Sequence, residues 1–282
     1  MIRRAAVAGS WYPSDPVALA REVDRYLAAA GAAPAGHPIA VVAPHAGMMY
    51  SGPIAAHAYN LVEATGASVV VLVGPSHYVA FEGVSVYDRG AFDTPFGPVR
   101  VAEQYTAALM NASARIQPYP AAHAREHSLE MQLPFLARVL PSADIVPLVM
   151  GRQTRETAYE LADAIAAVVA GTRCVLVAST DLSHYQRADT AAELDSKVIE
   201  RVARFDADDL MSLLETCPDH ACGGGPTVAV MRAAKLLGAT GARVLKYGDS
   251  GDVAGDKSAV VGYLAAAFGD FPPRAGAPPA DR

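Results

Sequence analysis

Four short stretches of the chain run almost without polar interruption: Ile39–Ala43, Ser68–Val73, Ile145–Val149 and Cys174–Ala178. Their length and their branched residues suit strands buried on both faces. Helix-like segments lie between and around them. Pro16 to Ala30 is one, with Ser14 or Asp15 as its cap and Gly31 as its stop. Pro53 to Ala64 is another, closed by Gly66. Further helices are expected over Glu126–Leu140, Glu156–Ala170, Thr190–Arg204, Ala207–Glu215 and Thr227–Leu237. Glu82 to Val101 alternates and is rich in turn residues, which suggests a strand pair at a sheet edge. Val244–Tyr247 and Ser258–Ala265 read as closing strands.

Strand and helix in alternation predict an α/β fold with a mostly parallel central sheet and helices on both faces. Residues 1–270 read as a single domain. Residues 271–282 are rich in Pro and Ala and lack apolar periodicity, so they read as a disordered tail.

Composition narrows the class of function. The 282 residues are 52% hydrophobic, enough for a large core, and the formal net charge is −6. No basic stripe is present, which argues against a nucleic-acid partner. No apolar run approaches the ~20 residues needed to cross a bilayer. Trp11-Tyr12-Pro13 interrupts the N-terminal Ala/Val stretch before a signal-peptide core forms. Three cysteines, Cys174, Cys217 and Cys222, do not make a disulfide framework. The chain therefore reads as cytoplasmic, with free thiols.

The chemistry gathers at the strand ends, where ligands of parallel sheets bind. One apolar strand runs into Pro44-His45-Ala46-Gly47, a second into Gly74-Pro75-Ser76-His77-Tyr78, and a third into Ser179-Thr180-Asp181-Leu182-Ser183-His184-Tyr185. One such histidine alone would be read as bonded to a backbone carbonyl. Three at equivalent places, of eight in the chain, point to a shared crevice. Cys222 precedes Gly223-Gly224-Gly225-Pro226, where glycines permit close approach to a ligand and a helix N-terminus favours a thiolate. Cys174 and Cys217 read as structural. His127 and Glu130, three apart, would share a helix face and form a polar wall of the crevice. The bland reading of Glu126 is a helix cap, and His123 is placed ahead of that helix.

Six segments together resemble the Memo family, whose bacterial and archaeal members are called AmmeMemoRadiSam system protein B. They are GSWYPSDP at Gly9–Pro16, APHAGMMYSG at Ala43–Gly52, GPSHY at Gly74–Tyr78, EHSLEMQLPFL at Glu126–Leu136, STDLSHY at Ser179–Tyr185 and ACGGGP at Ala221–Pro226. The resemblance implies a fold like the catalytic subunit of class III extradiol dioxygenases, with a cysteine in place of the carboxylate ligand. Carried over, the metal ligands are His45, His77 and Cys222, and Asp181 and His184 line the site. It also implies a functional link to an AMMECR1-like protein and a radical SAM enzyme.

On that basis Fe(II) is expected, with Cu and Zn also suited to a thiolate. The expected chemistry is redox or dioxygenase-like, acting on an unidentified small molecule or peptide. His184 would be the general acid or base, Asp181 and Glu130 would orient the histidines, and His127 would position substrate. The apolar neighbours Met48, Met49, Tyr50 and Tyr78 permit an aromatic substrate without requiring one. Three other readings stand beside this one: an enzyme with Cys222 as nucleophile, a zinc hydrolase, and a partner- or peptide-binding protein without activity.

Overall fold

A computed structural model describes residues 1–272; the expected tail lies almost wholly outside them. Four parallel strands form the centre of the main sheet, in the order His37–Ala43, Cys174–Ser179, Val69–Pro75 and Asp144–Met150. Antiparallel strands flank them. Val260–Asp270 pairs with His37–Ala43, and the long Gly241–Asp249 pairs with Val260–Asp270. On the other side Val84–Val86 pairs antiparallel with Asp144–Met150, and Ile116–Pro118 lies beyond it at the edge. The sheet is thus α/β and parallel at its heart.

Alternate residues of each strand feed two cores, as the pleat requires. Val42, Val71, Val73, Val146 and Leu148 pack with the helices Arg155–Val169, Ala188–Ala203, Ala207–Thr216 and Gly224–Leu236. Val41, Val70, Leu72 and Val177 pack with Pro16–Ala30, Met48–Thr65 and Leu133–Val139. Burial on both faces explains why these strands appear in the sequence as continuous apolar runs.

The first helix begins and ends as expected. Asp15 accepts from the Ala18 N–H at 2.8 Å, and Gly31 follows with φ 72°. Three expectations need correction. The second helix starts at Met48, not Pro53, and carries Pro53 inside it. Pro53 sits in the second turn, where it removes one i→i−4 bond, that to Met49 O, and the helix runs on through it. The segment Glu82–Val101 is not one edge pair. Val84–Val86 joins the main sheet, while Ala91–Phe92 and Val99–Arg100 form a small sheet with Ile2–Arg3.

The third correction matters for the site. Glu126–Leu140 is not one helix. A short helix, Pro120–Ala124, precedes it and contains His123; then comes an irregular stretch, the 3-10 turn Glu130–Gln132 and the helix Leu133–Val139. Glu126 Oε1 accepts from the N–H groups of both His127 and Ser128 at 2.9 Å. These bonds satisfy the backbone without a helix.

Candidate metal centre

His45 and His77 lie two residues beyond their strands, as the sequence suggested. The His45 N–H donates to Asp181 Oδ1 at 2.7 Å, which fixes the turn at the strand end. Its buried imidazole has Nδ1 2.8 Å from Ser179 Oγ. His77 Nδ1 lies 2.9 Å from Glu126 Oε1, and the His77 N–H donates to Glu126 Oε2 at 2.6 Å. Burial alone would raise the Glu126 pKa, but hydrogen bonds from the His77 ring, the His77 N–H and the Ser128 N–H bring it down to about 2. An ionised carboxylate only accepts, so His77 carries its proton on Nδ1 and leaves Nε2 free.

Cys222 closes the triangle. Its Sγ is 3.3 Å from His45 Nε2 and accepts from the Asp181 N–H at 3.2 Å. One ligand atom each from His45, His77 and Cys222 all lie within 4.8 Å of one another. Such separations suit metal bonds of about 2.0–2.3 Å. The donors fit a borderline-soft transition metal.

Burial and the nearby Asp181 carboxylate push the Cys222 thiol up. The helix dipole therefore does not by itself make a thiolate here; a cation is the partner that would. The glycines also differ from expectation. A Cβ at Gly223 would lie 2.3 Å from Ser179 O, and one at Gly224 2.5 Å from Leu214. Gly223 lets the start of the helix Gly224–Leu236 dock against a strand end, and Gly224 lets it pack on the helix Ala207–Thr216, rather than expose backbone to a ligand. The Gly225 N–H is already taken by Gln153 Oε1 at 2.7 Å, and the Gly223 N–H by Thr180 Oγ1 at 2.9 Å.

His184 borders the same crevice. Its Nδ1 meets Leu182 O at 2.8 Å, an acceptor only, so Nε2 is the basic nitrogen. A cavity of about 410 Å³ opens between His77, Cys222, His184, Gln186, Leu194 and Asp219. Tyr185, next to His184, has φ 60°, a conformation costly for a non-glycine residue. Buried Asp195 accepts from the Ser183 N–H at 2.9 Å and the Tyr247 hydroxyl at 2.8 Å, bracing this loop.

His127 is buried and stacks on His77, with ring centroids 4.5 Å apart. Trp11 packs on it at 4.3 Å. Burial and the two neighbouring imidazoles lower its pKa to about 3, so it is neutral near pH 7. Glu130 faces elsewhere. Its carboxylate accepts from the Ala6 and Val7 N–H groups and the Tyr12 hydroxyl, and pairs with Arg3. It does not share a face with His127 and orients no histidine. Asp181 holds the His45 backbone, not its ring; burial raises its pKa to about 6. The groups on the rings are Ser179 and Glu126. Ser179 was not singled out in the sequence, where one hydroxyl beside Asp181 gives no signal. Glu126 was legible only as a possible cap.

The second cluster able to hold a cation, His77, Glu126 and His127, overlaps the first. Both Glu126 oxygens are already committed to N–H donors, so that group reads as scaffold.

Comparison with known proteins agrees with the sequence motifs. The model of a family described as Memo-like protein matches residues 3–267. A MEMO1 family protein of Methanothermobacter thermautotrophicus is 38% identical over 273 residues, covering 93% of this chain and 99% of its own. Another, of Methanopyrus kandleri, is 39% identical over 280 residues, covering 95% and 99%. Among solved structures, the uncharacterised protein JW3007 of Escherichia coli K12 superposes with TM-score 0.55 at 15% identity, covering 82% of this chain and 99% of its own. That likeness is one of fold.

Proposed function

The chain belongs to the Memo family, and from that premise we propose that it is a non-haem metal protein with redox or dioxygenase-like activity. The metal, Fe(II) first and Cu or Zn next, would be held by His45, His77 and Cys222. The observation that carries this reading is convergence. Ser179 and Glu126 engage the Nδ1 atoms of the two imidazoles, and their ligand atoms meet Cys222 Sγ within one 4.8 Å triangle. A ligand set held from behind in this way is what a metal site needs.

Iron at this position would supply an electron-rich Lewis acid with open sites for dioxygen or an oxygen-bearing substrate. The chain's own groups do the rest. His184 presents Nε2 to the crevice as proton acceptor or donor. Neutral His127, with Trp11 tilted against it at 55°, offers an aromatic corner suited to an unsaturated group. Leu194 supplies an apolar side chain to the same cavity. No helix among the described residues is long and apolar enough to cross a membrane, and we place the protein in the cytoplasm. An AMMECR1-like protein and a radical SAM enzyme are the proposed functional partners.

Metal analysis of anaerobically purified wild type and Cys222→Ser decides the matter. About one iron per chain, lost in the variant, is the expected result. No metal in either, even after reconstitution with Fe(II), overturns the reading. A Cys222 nucleophile is the weaker alternative, because its thiol is pushed up and the glycine N–H groups that would hold an oxyanion are occupied. Activity that survives chelation and dies on alkylation would restore it. A binding role is favoured by one observation: Met49, Tyr78 and Tyr185 are large and exposed in the segments that follow or carry His45, His77 and His184. Peptide affinity without turnover would mark that role.

A further inference from the structure

His77 and His184 each meet a group that can only accept, so their protonated nitrogen follows at once. His45 does not. Its Nδ1 faces the hydroxyl of Ser179, which can donate or accept. The direction decides whether Nε2, the atom 3.3 Å from Cys222 Sγ, has a free lone pair or carries a hydrogen.

The other partners of Ser179 settle the direction. A hydroxyl has one hydrogen and two lone pairs. Ser179 Oγ lies 2.7 Å from Ser128 O, a backbone carbonyl, and must donate there. Gln132 Nε2 lies 2.8 Å from the same Oγ and donates into it. Which end of the Gln132 amide faces Ser179 is fixed from behind. Buried Tyr59 donates its hydroxyl to Gln132 Oε1 at 2.7 Å, and Gln132 Nε2 also meets Pro44 O at 3.1 Å. With its hydrogen spent on Ser128 and one lone pair filled by Gln132, Ser179 has one lone pair left for His45. Tyr59, Gln132, Ser128, Ser179 and His45 are all buried, so water offers no alternative partner.

We infer that Ser179, braced by Gln132 and Tyr59, is a positioning residue that holds the His45 proton on Nδ1 and keeps Nε2 open toward Cys222. Glu126 does the same for His77 with a full charge; Ser179 does it with a neutral group whose direction is imposed by the core. The consequence for metal affinity rests on the metal reading above, but the proton's position does not.

Both parts are separable by experiment. Protein labelled with ¹⁵N-histidine, held metal-free with chelator, reports each ring's tautomer by long-range ¹H–¹⁵N correlation. His45 is identified by the signal lost in His45→Asn. Wild type is expected to show His45 protonated on Nδ1. Ser179→Ala is expected to move the proton to Nε2, where Cys222 Sγ can accept it, and to lower anaerobic Fe(II) affinity roughly 10- to 100-fold. A thermal melt confirms that the variant is folded. An Nε2-protonated His45 in wild type overturns the inference without any variant. So does a Ser179→Ala protein that keeps both the wild-type tautomer and the wild-type affinity. If the tautomer moves as expected while no protein binds Fe(II), the lock stands and the metal reading falls.

Discussion

Glu126 and Glu130 sit four residues apart, both buried and both saturated with hydrogen bonds, yet they serve different parts of the molecule. Glu126 turns toward the strand ends and grips His77 by ring and backbone. Glu130 turns toward the N-terminal segment and grips Arg3, Ala6, Val7 and Tyr12. The first carboxylate organises a crevice. The second fastens the N-terminal segment, whose following turn sets Trp11 against His127. Equal burial and equal saturation thus say nothing about proximity to chemistry; only the identity of the donors does.

The largest effect should come from Glu130→Gln. It strands the Arg3 guanidinium in a buried site and is expected to cost about 3–5 kcal/mol in urea unfolding. Metal bound per folded chain should stay near the wild-type level. A loss of metal affinity as large as that of a Glu126 variant would break the comparison. Glu126→Gln comes next. It faces four N–H donors with an amide that can no longer accept from all of them. Metal affinity should fall roughly 10- to 100-fold, with a stability loss of about 1–3 kcal/mol. Unchanged affinity would mean that His77 needs no help from Glu126.

The same pair shows what was readable in the sequence. The strands could be read because burial on both faces makes continuous apolar runs, and the three histidines and Cys222 could be placed because strand ends converge in a parallel sheet. Spacing on an assumed helix set His127 and Glu130 side by side. Tertiary hydrogen bonds to Glu126 broke that helix, and the two side chains part. Ser179 escaped notice for a related reason. Its role depends on Ser128, Gln132 and Tyr59, which come from distant parts of the chain and carry no local signature. Pro53 misled in the opposite direction, as a break that the second turn of a helix tolerates.

A subtler difference concerns protons. On the Glu126 side, burial keeps His45 neutral and Cys222 protonated. Metal binding should therefore release about one proton per ion, from the thiol, and affinity should rise roughly tenfold per pH unit through neutrality. Calorimetry in buffers of different ionisation enthalpy measures this. No proton release would show that Cys222 is already a thiolate or is not a ligand.

On the Glu130 side the titrating group is His123. It is buried, and its backbone carbonyl accepts from Arg3 Nε at 2.9 Å, which ties it to the same N-terminal segment. Burial and the Arg3 charge lower its pKa from 6.5 to about 4. The stability it contributes is present above pH 6.5 and is lost as pH falls toward 4, by up to about 1.4 kcal/mol per pH unit. His45 and His127 add to the same acid loss in metal-free protein, since both are held neutral by burial. Bound metal would withdraw His45 from that titration, because a coordinated imidazole does not take up a proton until the metal leaves. His123 has no such protection. His123→Leu should thus flatten the acid limb of the stability curve by about one proton's worth, in metal-free and metal-loaded protein alike. A flattening seen only without metal would mean that His123 answers to the crevice after all, and the division between the two carboxylates would not hold.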